Sequence, residues 1–173
     1  VQDVVRHCRE SAKPTIAAVG GPALGAGCDF ALACHLRVVG SGAVLRQGFV
    51  NVGLVPGDGG AWLLPRLIGE AKAREYLLTG RDITPEAAVD LGLATKVAPD
   101  ALDAAGNLAE ELRGLPATAV RRTNELVDPQ QDFDTYCERA IDFQWECVTD
   151  PEHAEAVAAF RESRKPSYDR EYS

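Results

Sequence analysis

Two glycine-rich segments of this 173-residue chain carry the residue types that could do chemistry. The first, residues 20–29 (GGPALGAGCD), follows an apolar run at 15–19 and precedes a run of small residues typical of a helix at 30–34. A strand that leads through such a turn into a helix leaves backbone N–H groups available to an anion, either a phosphate or a developing oxyanion. The alternative is that the glycines only let the helix pack on the strand.

The second segment, residues 53–60 (GLVPGDGG), precedes a helical run that contains Trp62. It places the carboxylate of Asp58 within a turn, where such a group could transfer a proton as a general base. The alternative is that Asp58 caps the N-terminus of the following helix, as aspartates in this position commonly do.

The hydrophobic pattern predicts the elements that must position these turns. In the first half of the chain, helices alternate with strands, which favours βα units around a largely parallel sheet. The predicted strands are residues 15–19, 36–39 and 44–45. The second half is predicted to be almost entirely helical, with Thr84 as an N-cap before Pro85 and one short strand at 94–97. Its last four predicted helices are residues 102–112, 117–127, 133–147 and 153–163.

Composition excludes several classes of partner. The net charge of −8 argues against binding to nucleic acid, which requires a basic surface. No apolar run reaches the ~20 residues of a membrane span. The five cysteines form no C-x-x-C pair, and Cys28, Cys34 and His35 do not make a recognisable metal set. These features predict a reduced, cytoplasmic protein.

Several ordered motifs resemble the enoyl-CoA hydratase/isomerase (crotonase) superfamily. They lie at residues 13–34, 53–60, 64–69, 71–73, 77–81, 87–94 and 159–166. The resemblance implies an α/β fold, a crotonase-like spiral of ββα repeats followed by a helical region that forms homotrimers or hexamers. We expect residues 1–98 to be the C-terminal part of the spiral and 99–173 to be the trimerisation region. The N-terminal part of the usual domain is expected to be missing from this sequence.

The resemblance also implies that the first turn polarises the carbonyl of an acyl-CoA thioester. In this family two backbone N–H groups hold the carbonyl oxygen, and one of them corresponds to the amide of Ala26, between Gly25 and Gly27. The other donor belongs to an earlier loop that this sequence does not contain. Coenzyme A enters as part of the substrate, so no separate cofactor and no metal are expected.

The carboxylates depart from the family pattern of a hydratase, which uses two glutamates to activate water. The first glutamate corresponds to Asp29 and the second to Phe49, which cannot transfer a proton. A single carboxylate, Asp58, suffices to move a proton between two carbons, so enoyl-CoA isomerisation is the preferred reaction. Hydration is the alternative reaction, and a non-catalytic acyl-CoA-binding scaffold is the alternative of a different class.

Other candidate residues are less specific. Gly57 is assigned to the substrate site because it belongs to the second turn. Phe49 and Trp62 are predicted to line the acyl pocket, although a core role fits either of them. Lys165, beside Arg164, is a candidate contact for a CoA phosphate, with a solvated charge as the alternative. His35 is interpreted as a structural or capping histidine.

Overall fold

A computed structural model gives the fold and describes residues 1–127 and 131–168. The strands are β1 (Ile16–Val19), β2 (Pro22–Leu24), β3 (Leu36–Gly40), β4 (Val44–Arg46) and β5 (Lys96–Ala98). The helices are α1 (Gln2–Glu10), α2 (Ala26–Ala33), α3 (Gly60–Ile68), α4 (Glu70–Thr79), α5 (Pro85–Asp90), α6 (Ala101–Arg113), α7 (Ala117–Leu126), α8 (Phe133–Thr149) and α9 (Pro151–Arg161). A short 3₁₀ helix, Gly48–Val52, lies between β4 and α3.

Consecutive strands belong alternately to two different parallel sheets. One sheet has the order β1-β3-β5 and the other pairs β2 with β4. In the first sheet Ile16 pairs with Leu36, and in the second Pro22 pairs with Val44. Two strands and then a helix therefore form each repeat: β1, β2 and α2, followed by β3, β4 and α3. This arrangement confirms the predicted α/β spiral of ββα repeats with a helical C-terminal region.

The structure differs from the sequence predictions mainly at the turns. Helix α2 begins at Ala26, four residues before the predicted start, because Gly25 supplies the bend that ends the preceding strand. Strand β2 was not predicted, since three residues that include a proline give almost no periodic signal. The N-cap at Thr84 is confirmed: its hydroxyl oxygen accepts a hydrogen bond from the Ala87 amide, at 3.2 Å.

The chain divides into two compact units, Val1–Leu108 and the residues from Ala109 onward. The core of the first unit contains Leu32, Leu45 and Leu64, each at most 1% exposed. In the second unit α8 packs against α7 and α9, and Glu146 of α8 pairs with the guanidinium groups of Arg121 and Arg122. The predicted division after residue 98 stays a prediction. In the described parts of the chain, no helix is long and apolar enough to span a membrane.

A buried arginine fixes the C-terminal end of α2. Arg37 of β3 is only 6% exposed, and its guanidinium donates to the backbone carbonyls of Ala31, Leu32, Cys34 and Leu93. Carbonyls at the end of a helix have no partner within the helix and carry partial negative charge, so a cation is favourable there. Arg37 thereby holds α2, the helix that starts at the glycine turn, against β3.

Candidate active site

The first glycine turn forms a cradle of backbone amides at the start of α2. Gly25 has φ +53° and ψ −119°, a conformation that side chains with a Cβ rarely adopt. Its N–H donates to the Arg46 carbonyl at 2.9 Å, and its carbonyl accepts the Asp29 amide at 3.0 Å. Since that is the first bond of the helix, the amides of Ala26, Gly27 and Cys28 have no acceptor within α2. Unpaired amides at a helix N-terminus can bind an anion, and the assignment of Ala26 as an oxyanion donor stays a prediction.

An aromatic ring covers one side of this cradle. The half-buried phenyl ring of Phe49 lies over Gly25, and a Cβ placed on Gly25 would sit 3.3 Å from the ring's Cζ atom. The ring lies beside the amide donors, at the position that corresponds to the second glutamate of the hydratase pattern. The wall of the cradle is therefore apolar on this side, and Phe49 contributes no proton-transfer group.

Beneath the cradle, Asp29 and Gln47 form a buried polar pair. Asp29 is 0% exposed and Gln47 is 1% exposed. The Gln47 Nε2 group donates to Asp29 Oδ1 at 2.5 Å, whereas Asp29 Oδ2 and Gln47 Oε1 have no hydrogen-bond partner. Gly60, at the start of α3, lies directly against the pair: a Cβ at Gly60 would be 2.4 Å from Gln47 Oε1 and 2.5 Å from Asp29 Oδ1.

Burial raises the pKa of Asp29 to about 6. Removal from water is the largest cause, because it disfavours the charged carboxylate. The hydrogen bond from Gln47 lowers the pKa, and the nearby negative charge of Asp58 raises it further. Ionising Asp29 thus costs free energy in the folded protein.

This pKa predicts how stability changes with pH. In the folded protein Asp29 holds its proton up to about pH 6, whereas the unfolded chain releases it near 3.8, so stability falls as pH rises between these values. Between about pH 4 and about pH 7 we expect the free energy of unfolding of the native protein to fall by about 2 kcal/mol more than that of Asp29→Asn, which lacks this carboxyl group. Urea unfolding of both proteins at about pH 4 and about pH 7 measures the difference. Equal pH dependence in the two proteins would show that Asp29 is not perturbed.

Asp58 lies in the turn before α3 and is half-buried. The N-cap of α3 is Gly59, and no side chain caps this helix end. The interpretation of Asp58 as an N-cap is therefore wrong. Its negative charge is one of the causes that raise the pKa of Asp29. Unlike Asp29, Asp58 retains access to solvent.

The remaining candidate residues of the first unit lie at the surface. Trp62 is 40% exposed, with the guanidinium of Arg66 3.9 Å from its ring centre and that of Arg9 at 4.8 Å. It is therefore not a core residue, and a role for it in the acyl pocket stays a prediction. Gly57 is exposed, and its carbonyl accepts a hydrogen bond from Gln2 Nε2 at 2.8 Å.

Of the two other candidates, His35 is held by hydrogen bonds within the first unit, whereas Lys165 is exposed in the second. His35 Nδ1 accepts from the Thr15 amide at 3.0 Å, and His35 Nε2 lies 3.1 Å from the Arg9 carbonyl, which fits the structural role expected for this histidine. Lys165 is exposed in the second unit, and its contact with a CoA phosphate stays a prediction. Its neighbour Arg164 forms ion pairs with Glu155 and Glu162.

The roles of Gln47 and Gly60 were not predicted from the sequence. The available signal for Gln47 was an uncharged polar side chain directly after β4 (Val44–Arg46). Gly60 was visible as the second of two consecutive glycines at a helix start, a position where a side chain is often excluded by close packing.

No metal site accompanies these groups within residues 1–127 and 131–168, where no cluster of three or more histidine, cysteine or acidic residues could hold an ion. The cysteines are free thiols. Burial raises the pKa of the Cys28 thiol to about 12, so this residue behaves as a small core side chain.

The repeats and the amide cradle define a crotonase-like fold, and solved structures agree with this class. An enoyl-CoA hydratase from Bacillus anthracis superimposes with a TM-score of 0.91 at 31% identity, over 96% of this chain and 66% of that one. An enoyl-CoA hydratase from Polaromonas sp. JS666 gives 0.90 at 34% identity, over 95% of this chain and 66% of that one.

Residues 1–171 match the family model described as enoyl-CoA hydratase/isomerase, and the chain belongs to this family. It is 34% identical to the enoyl-CoA isomerase/hydratase fer4 of Mycosarcoma maydis, over 97% of this chain and 64% of that protein. It is 32% identical to the short-chain-enoyl-CoA hydratase of Clostridium acetobutylicum, over 94% of this chain and 64% of that protein. The chain thus spans a little under two thirds of the length of these relatives.

Proposed function

We propose that the protein isomerises an enoyl-CoA through a thioester enolate. The Ala26 amide holds the carbonyl oxygen, and the Asp58 carboxylate removes the proton from C2 of a 3-enoyl thioester. The C2–H electrons then form the C1–C2 double bond of a dienolate, whose negative charge rests on the oxygen in the cradle. Asp58 returns the proton to C4, and the double bond finally lies between C2 and C3.

The physical basis of this proposal is differential stabilisation. Amide donors aimed at an oxygen that gains charge stabilise the transition state more than the ground state. One such donor contributes about 3 kcal/mol in acyl-transfer enzymes. A single carboxylate serves both proton transfers, because the enolate keeps its position between them.

The observation that carries the choice of isomerisation over hydration is the ring of Phe49 beside Gly25. Hydration needs a water molecule activated by acid and base groups at the cradle. An apolar wall at this position offers water no hydrogen bond, whereas it suits the hydrocarbon part of an enoyl group. The names of relatives include both reactions, isomerase and hydratase.

A comparison of two substrates with the purified protein tests the proposal. We expect conversion of a 3-enoyl-CoA to the conjugated 2-enoyl-CoA to exceed hydration of the 2-enoyl-CoA by at least about 10²-fold, the effect of one lost acid–base group. The gain or loss of absorbance of the conjugated thioester measures both rates. Faster hydration would establish the hydratase reaction, and tight binding of the thioester without either reaction would establish a non-catalytic scaffold.

We also propose that the protein assembles as a homotrimer or a hexamer. Apolar side chains of α8 are exposed in the single chain, among them Ile141 at 71% and Trp145 at 70%. Surfaces of this kind usually mark protein–protein contacts. Sedimentation equilibrium gives the assembly mass, and a stable monomer would contradict this proposal.

A further inference from the structure

The buried pair beneath the cradle carries two acceptor atoms without partners. Asp29 Oδ2 and Gln47 Oε1 are both shielded from water. A buried acceptor that lacks a donor costs about 1–3 kcal/mol, and more when it is charged. Two such atoms on adjacent side chains that already share one hydrogen bond are unusual, because buried polar groups in folded proteins are nearly always paired.

A single proton on Asp29 would satisfy both atoms at once. A carboxylic acid has one O–H donor and a carbonyl oxygen, and a carboxamide has an NH₂ donor group and a carbonyl oxygen. The two groups can therefore form a ring of two hydrogen bonds, in which each donates to the carbonyl oxygen of the other. The first bond, from Gln47 Nε2 to Asp29 Oδ1, is present at 2.5 Å. Gln47 Oε1 and Asp29 Oδ1 both lie within 2.5 Å of the position that a Gly60 Cβ would take, so the two groups are pressed together against α3.

We propose that Asp29 and Gln47 form a neutral acid–amide pair in which Asp29 Oδ2–H donates to Gln47 Oε1. Gln47 is then a positioning residue: its hydrogen bond fixes the orientation of the Asp29 carboxyl group beside the cradle. The consequence for catalysis rests on the proposed function. Where Asp29 is protonated, at pH values below about 6, the enolate forms without a negative charge at Asp29.

The charged and titratable groups that face the pair are consistent with a neutral Asp29. Asp58, in the turn before α3, adds negative charge and so favours the protonated acid. Cys28, on α2 itself, contacts Gln47 and stays a neutral thiol because burial raises its pKa. The buried cation Arg37 is bound to four backbone carbonyls, and its charge interacts with Cys28 and Cys34.

Infrared spectroscopy tests the pair without any substrate. Protein is labelled with carbon-13 in the side-chain carboxyl of aspartate, and spectra are compared below and above the expected midpoint of about 6. We expect a carboxylic-acid C=O band that disappears as pH rises through this midpoint. The band should be absent in Asp29→Asn and unchanged in Asp90→Asn, which alters an exposed carboxylate of α5.

Two further variants separate the pair from a merely structural role. In Gln47→Met the band should move to higher frequency, because the acid loses both hydrogen bonds, and its midpoint should rise. In Asp58→Asn the midpoint should fall, because a like charge is removed. Absence of an Asp29-dependent acid band, or a band that Gln47→Met leaves in place, would overturn the proposal.

These outcomes also distinguish the pair from the proposed function. If the acid band is present but Asp58→Asn retains isomerase activity, the pair stands and the assignment of the base fails. If Asp58→Asn loses activity but the native protein has no acid band, the assignment of Asp58 as the base stands and the neutral Asp29–Gln47 pair is refuted. If Gln47→Met does not fold, the titration of native protein beside Asp58→Asn still decides the question.

Discussion

Replacing Asp58 with asparagine is expected to slow the exchange of the α-proton of an acyl-CoA by about 10²–10⁴-fold. Asparagine has nearly the same shape as aspartate, but its amide cannot accept a proton at neutral pH. The substitution leaves the Ala26 amide and the Phe49 ring in place, so thioester binding should change little. Incubation of the thioester with protein in heavy water, followed by mass spectrometry, measures the exchange rate directly and does not depend on which product is released.

The matched control for this experiment is Asp90→Asn. Asp90 is an exposed carboxylate at the end of α5 in the same unit, so the control makes the same change of charge outside the site. We expect its exchange rate to stay within about twofold of the native rate, since a distant surface charge is screened by solvent. Full exchange in Asp58→Asn, together with its loss in Asp29→Asn, would instead identify Asp29 as the base.

Gly60→Ala is expected to cause a large loss of stability, although it adds only one methyl group. The added Cβ would lie 2.4 Å from Gln47 Oε1 and 2.5 Å from both Gln47 Cδ and Asp29 Oδ1. These atoms belong to side chains that are at most 1% exposed. Overpacking of this kind costs about 3 kcal/mol, so the midpoint of urea unfolding should fall clearly.

Gly106→Ala provides the control for the glycine substitution. Gly106 lies within α6, and a Cβ placed on it would meet no atom within 4 Å. Alanine in a helix is more favourable than glycine by about 0.5–1 kcal/mol, so this variant should be slightly more stable than the native protein. Equal stability of Gly60→Ala and the native protein would mean that the Asp29–Gln47 pair can move away from α3.

Local sequence signals predicted the fold well where one segment determines its own structure. The apolar runs at 15–19 and 36–39 became β1 and β3, and Thr84 followed by Pro85 began α5. The spiral arrangement was predicted only from the resemblance to the enoyl-CoA hydratase/isomerase superfamily. A strand of three residues such as β2 carries no local signal that indicates which sheet it joins. The two glycine turns were also predicted, because glycine marks positions that other residues cannot occupy.

The details of the site could not be predicted in the same way. Asp29 and Gln47 are eighteen positions apart, and they meet only because β4 pairs with β2 and the Arg46 carbonyl accepts the Gly25 amide. The same contact brings the ring of Phe49 over Gly25. Whether a polar side chain is buried, and so whether its pKa is raised, depends on this long-range packing rather than on its neighbours in the sequence.

The division of consecutive strands between two sheets has a consequence for how the chain folds. Each of the first two strands pairs with a strand about one repeat later: twenty residues separate Ile16 from Leu36, and twenty-two separate Pro22 from Val44. Strand β5 closes a much longer loop, because Lys96 pairs with Val38 across fifty-eight residues. Short loops close at a lower entropic cost, so each folded ββα repeat can provide the surface on which the next repeat forms. The docking of β5 is then the late, slow step of folding.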